Sequence, residues 1–143
     1  MRKLVRNYSA GMVATIDRNG FPAVSPKATF VVVDEKTLAF GNIRSPGTIA
    51  NLKRHPGLEV CFLDVLARKA VRVAGSAEII PKTEVPAALH ERFRTEWPDY
   101  LGRMSAFVVI TVERAELVLS PAYDIGLSEA ALRRTNLEKI NRI

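Results

Sequence analysis

The chain has a single cysteine, Cys61, so no internal disulfide can form, and nothing in its cysteine content suggests an oxidising compartment. No apolar run approaches the ~18 residues that a membrane-spanning helix needs. The N-terminus, MRKLVRNYSAGMVATI, is basic at first, but Asn7, Tyr8 and Ser9 stand where a signal peptide carries its apolar core. A cytoplasmic location is therefore the expectation, with no membrane partner. Internal repeats, low-complexity tracts and Ser/Gly linkers are also missing, and the 143 residues read as one domain, 1–143. The two histidines, His55 and His90, and the lone cysteine have no metal-ligand spacing, so no metal is expected. Cys61 sits between Val60 and Phe62 and reads as a buried packing residue, not a nucleophile. Asp64, Asp99 and Asp124 are too far apart in sequence to suggest an acid/base pair.

One absence is local. No Asp or Glu lies between Glu35 and Glu59, while Lys36, Arg44, Lys53 and Arg54 do. The net charge is +6, yet the cations are scattered and build no basic run. That pattern is a solvated surface and argues against nucleic acid as a partner.

What is present reads as mainly β. Met12 to Asp17 has strand composition, and Asn19-Gly20 is a two-residue hairpin signal. FPAVSPKATFVVVD returns, with Pro22 and Pro26 making it an edge or interrupted strand as far as Thr29. TLAF follows, so the first forty residues read as an antiparallel meander. Later strands are expected from Leu58 to Leu63, in VRVAGSAEII and in AFVVITVERAELVL, with Gly75 marking a bulge or corner. Helices are expected after Ser45-Pro46, from Thr83 through the stripe Val85, Leu89, Phe93 and Trp97 as far as Pro98, and after the candidate N-cap Ser128. Six antiparallel strands with two or three connecting helices are best accommodated by a small closed or partly closed β-barrel, which leaves few open edges.

The acid-free stretch GNIRSPGTIANLKRHP lies between the third and fourth strands. Ser45 can cap a helix, and Pro46 at its first position gives up no needed N–H. Gly47 and Thr48 then present free N–H groups at the positive end of the helix dipole, with Arg44 close by. This describes a phosphate cradle equally with a well-capped helix whose Ile49 and Leu52 pack on the barrel.

The order of these pieces resembles the pyridoxamine 5′-phosphate oxidase-like family of FMN-binding split β-barrels, from Gly11 to about Asp124. The likeness is carried by DRNGFPAVSPKATFVVVDEKTLAFGN, by GNIRSPGTIANLKRHPGLEVCFLD, and by VRVAGSAEI with VVITVERAELVLSPAYDIG. It implies Ser25, Pro26, Lys27 and Ala28 along the flavin ring, with Lys27 at its electron-rich edge, and Gly41 and Asn42 at a strand end against the cofactor. It implies Arg44, Ser45, Gly47, Thr48 and Asn51 around the phosphate. It also implies a homodimer with the cofactor at the interface, where Ser120, Pro121, Tyr123 and Asp124 of a second copy would close the pocket. The expected function is that of a small FMN-dependent oxidoreductase acting on a small-molecule substrate or electron donor. The alternatives are an F420-dependent reductase of the same fold and a non-enzymatic FMN carrier or electron-transfer module. Haem handling also occurs in relatives, but no residue here singles it out. True pyridoxamine phosphate oxidases carry Ser-Arg-Lys where this chain has Pro46-Gly47-Thr48. They also end in a Trp- and Arg/His-rich segment that is missing after Ser120, so the vitamin B6 reaction is not implied.

Overall fold

The first hairpin closes around Asp17. Its carboxylate accepts from the N–H groups of Asn19 at 2.8 Å and Phe21 at 2.9 Å, and Gly20 takes a positive φ of 84°. The turn is thus wider than the two residues expected and spans 17–21 between β1 (Gly11–Ile16) and β2 (Pro22–Lys27). The computed structural model describes residues 1–143. After β2 come β3 (Phe30–Val32), β4 (Thr37–Asn42), β5 (Gly57–Asp64), β6 (Lys69–Pro81) and β7 (Ala106–Leu119). Five helices complete the chain: α1 (Arg2–Asn7), α2 (Pro46–Arg54), α3 (Ala87–Glu96), α4 (Pro98–Leu101) and α5 (Glu129–Ile140).

All seven strands form one curled antiparallel sheet, a half-barrel, in the order β2-β1-β5-β6-β7-β4-β3. Two expectations change here. There are seven strands instead of six, and the first forty residues are not a meander, because β2 and β3 do not pair and form opposite edges. The cause lies in FPAVSPKATFVVVD. The prolines lack ladder N–H groups and suit an edge, and the chain leaves β2 after Lys27 and starts a separate strand at Phe30. There are also more helices than expected. α1 was not foreseen, and Pro98 both ends the α3 region and opens the short α4. Thr83 lies within a 3₁₀ turn, Lys82–Glu84, and the α-helix begins only at Ala87, after Pro86.

The concave side of the sheet holds the core. Phe30 packs on Phe40 and Phe62 with ring centroids 5.3 and 4.8 Å apart, surrounded by Val13, Val60, Val71, Val73 and Ile110. Burying each such side chain contributes about 2–3 kcal/mol. The expected stripe of α3 forms a second cluster: Leu89 and Phe93 are buried against Val31, Met104 and Phe107, with Val85 and Trp97 at its margin. Gly75 sits at a register shift between β6 and β7, the anticipated bulge. Cys61 is only half-buried, because odd-numbered β5 residues face the convex side, where no helix packs on this strand. No helix is long and apolar enough to cross a membrane.

Candidate binding site at the start of helix α2

Helix α2 starts without the side-chain cap its sequence suggests. The Ser45 carbonyl accepts from Ile49 N–H at 3.0 Å, but the hydroxyl makes no capping bond. Pro46 takes the first position as expected. The N–H groups of Gly47 and Thr48 find no acceptor in the chain, and a Cβ added at Gly47 would meet nothing within 4 Å. The helix thus offers two unpaired donors and an unobstructed approach at its positive end. No acidic residue lies in its first turn, and Lys53 and Arg54 complement the dipole in its last.

A cleft of about 270 Å³ lies between this helix start and the β1–β2 hairpin. The structure brings six expected residues together there: Ser25, Arg44, Ser45, Gly47, Thr48 and Asn51. Pro46, Thr15, Ala23 and Val24 also line it, and no Asp or Glu does. Thr15 and Ala23, directly opposite in the β1–β2 register, are residues the sequence reading did not propose. Their period-2 phase with Val13 and Ser25 is the signal that could have found them. Thr48 is buried against the body, and its hydroxyl has no hydrogen-bond partner in the chain. Asn51 plays a different part. Its amide donates to Thr15 Oγ1 at 2.9 Å and its carbonyl accepts from Arg54 Nη2 at 2.6 Å, so it pins α2 to β1.

Ser25 and Lys27 share one face of β2, and the Lys27 ammonium donates to Ser25 Oγ and to the Pro26 carbonyl at 3.3 Å. Burial pushes the Lys27 ammonium below the ordinary lysine range. Pro26 lies on the opposite face, and Ala28, exposed, follows the strand end. Gly41 and Asn42 lie elsewhere. Gly41 is packed under Met104, and Asn42 donates to Ser105 Oγ at 3.0 Å in a separate groove on the other flank of α2, beside Ile49, Leu52 and Lys53. Ser120, Pro121, Tyr123 and Asp124 form a turn folded against the β5–β6 connection, where Tyr123 donates to the Ala67 carbonyl at 2.6 Å. They do not line the cleft of their own chain.

The donor set therefore fits a phosphate: two free N–H groups, a hydroxyl and the Arg44 guanidinium, with no competing carboxylate. The family profile described as pyridoxamine 5′-phosphate oxidase matches residues 1–119. The chain belongs to the pyridoxamine 5′-phosphate oxidase family. The family match ends with β7, so α5 and the turn before it lie beyond it. Among solved structures, HupZ of Group A Streptococcus is 28% identical, with a TM-score of 0.72 over 84% of this chain and 92% of that one. An FMN-binding protein from Syntrophomonas wolfei is 16% identical, with a TM-score of 0.67 over 82% of each chain. An F420 reductase is 19% identical, with a TM-score of 0.64 over 80% of this chain and 94% of that one. The likeness to these last two is one of fold. No curated protein sequence matches the chain.

Proposed function

We propose that the α2 cleft binds the phosphate end of FMN and that the protein works as a small, homodimeric flavin oxidoreductase. The carrying observation is the pair of unpaired N–H groups at Gly47 and Thr48 beside Arg44, in a cleft without an acid. FMN, when bound, supplies one- and two-electron redox chemistry. The chain's own contribution is to hold and polarise it. Gly47 and Thr48 donate to phosphate oxygens, Arg44 neutralises their charge, and Ser25 and Lys27 continue along the same strand face. Lys27 is suited to balance negative charge that develops on reduction, since no carboxylate pairs with it. A cleft of about 270 Å³ is smaller than the ~300–1,000 Å³ typical of sites for drug-sized ligands. It suits the phosphate and part of its chain, and a second copy of the protein would enclose the rest.

The test is titration of the purified protein with FMN and, in parallel, F420. Saturable FMN binding near one per chain is expected, and Gly47→Glu should weaken it at least a hundredfold while the circular dichroism stays unchanged. Unchanged affinity in that variant would place the phosphate elsewhere. Preference for F420 would keep the cleft and change the cofactor. Multiple turnovers with NAD(P)H and an acceptor would separate an enzyme from a carrier.

A further inference from the structure

Ser25 and Lys27 form a chemical unit that phosphate binding does not use. Two residues apart on β2, they share one side of the sheet, and the Lys27 ammonium donates to Ser25 Oγ. None of the ion pairs in the chain includes Lys27. Directly opposite it on β1 stands Gly11, where ring atoms of Phe30 and Phe62 lie 2.9 Å from the place of a Cβ. Lys27 thus borders apolar atoms and has no carboxylate to hold its proton, and burial lowers its pKa accordingly. Such a lysine releases its proton more readily than a solvated one and can serve as a general base.

The hydroxyl beside that base belongs to the cleft. Ser25 lines it together with Gly47 and Thr48, whose N–H groups have no acceptor in the chain. Thr48 is 7% exposed, and its hydroxyl also lacks a partner. No Asp or Glu lines the cleft to repel a developing negative charge. A serine hydrogen-bonded to a base, in one cleft with two free backbone donors, has the parts that activate a nucleophile and hold an oxyanion.

We propose that Ser25 and Lys27 are a nucleophile–base dyad with which the α2 cleft hydrolyses small carboxylic esters through an acyl-Ser25 intermediate. Neutral Lys27 takes the Ser25 proton as Oγ bonds to the ester carbonyl carbon. The carbonyl oxygen becomes an oxyanion, held by the Gly47 and Thr48 N–H groups. Lys27 passes the proton to the departing alcohol as the C–O bond breaks. Water, deprotonated by Lys27, then attacks the acyl carbon, and Ser25 leaves with that proton as the acid is released. The reaction rests on the cleft described above and on its free donors, but it needs no flavin. An ester and an FMN phosphate would use the same N–H groups, so each excludes the other.

Diisopropyl fluorophosphate phosphorylates serines activated in this way, with loss of fluoride, whereas ordinary hydroxyls hardly react. In the purified protein without added FMN it should modify Ser25 alone, located by peptide mass spectrometry. The modified protein should no longer turn over 4-nitrophenyl acetate. Lys27→Met and Lys27→Arg should each slow the labelling about a hundredfold or more with circular dichroism unchanged, since arginine keeps the charge but cannot take a proton. Gly47→Glu should slow it as well, by placing a carboxylate where the oxyanion forms. Full-rate labelling in Lys27→Arg would overturn the base, and an unlabelled Ser25 in the wild type would overturn the dyad. Saturable FMN binding beside an unreactive Ser25 would leave the flavin reading standing without this one. A reactive Ser25 in a protein that binds no FMN would do the reverse.

Discussion

Lys27 carries its charge partly out of water, with a hydroxyl and a carbonyl as its only partners. Burial holds its pKa below the ordinary 10.5, so the folded chain releases this proton at a lower pH than the unfolded chain does. Stability therefore gains a contribution as pH rises from the depressed value toward 10.5, where the unfolded state binds more protons. An anion beside Lys27 pulls the pKa back up. Affinity for FMN should accordingly fall as pH rises through the depressed pKa, and Lys27→Met should flatten that fall; fluorescence titrations carried from neutral pH up toward 10.5 read both. Gly75 offers a purely steric test. A Cβ there would lie 2.1 Å from the Thr111 carbonyl oxygen, a backbone atom that cannot rotate away. Gly75→Ala should cost about 2–3 kcal/mol, seen as a lower urea midpoint at constant m. Such residues differ in how far the sequence exposes them. Gly47 is legible because the absence of a side chain after Ser-Pro has a local meaning. The commitment of Asn51 to Thr15 is not, because the partner lies 36 residues away in sequence.

At the scale of elements, α5 is held by charge more than by packing, since only Leu132 and Asn136 are buried along it. Burial alone would raise the pKa of Asp64, but hydrogen bonds from Ala67 N–H, Tyr8 and Arg133 hold it below the ordinary 3.8. Glu129 is held below 4.5 by Lys69 and Arg133. For depressed carboxylates the stabilisation is complete above the unfolded values and is lost as pH falls through the folded ones. Hydrogen exchange in α5 should speed up as pH is lowered below about 4, beyond the intrinsic trend of the strands, and Asp64→Asn should remove much of that dependence. Local pattern foretold α5: Ser128 caps it, accepting from Ala131 N–H at 3.2 Å. It foretold β7 too, whose bounds match AFVVITVERAELVL. α1 was hidden because RKLVRN has no side-chain cap and no apolar stripe, and it is helical only because the barrel supplies a place for Val5. The split of β2 from β3 was half visible. Pro22 and Pro26 announce an edge, but which strand lies beside which is decided by closure of the whole sheet.

The whole molecule has two unlike sides. The concave side holds the main core, and α3 covers the opposite face of β3, β4 and the start of β7, whereas the convex face of β2, β1, β5, β6 and the rest of β7 is bare. That face exposes Met12, Val24, Leu63 and Val118. Between them lies a closed set of opposite charges: Arg72 pairs with Glu59 and with Glu116 at 3.7 Å, and Arg114 reaches Glu59 at 3.5 Å and Glu116 at 3.2 Å. The +6 excess therefore lies elsewhere, and two copies of this face can meet without net repulsion. An apolar patch with internally balanced charge is the surface expected of a self-association interface, and the proposed flavin site calls for a wall from another chain. Both requirements are met if the convex faces pair across a two-fold axis. Val118→Glu adds an unbalanced charge in the apolar part of the face without touching the α2 cleft. Sedimentation equilibrium should then shift from two chains to one, and FMN affinity should fall with it by at least tenfold. A dimer that survives this change, with FMN affinity intact, would move the interface to another face; a monomer that still binds FMN at full strength would mean that one chain makes the entire site.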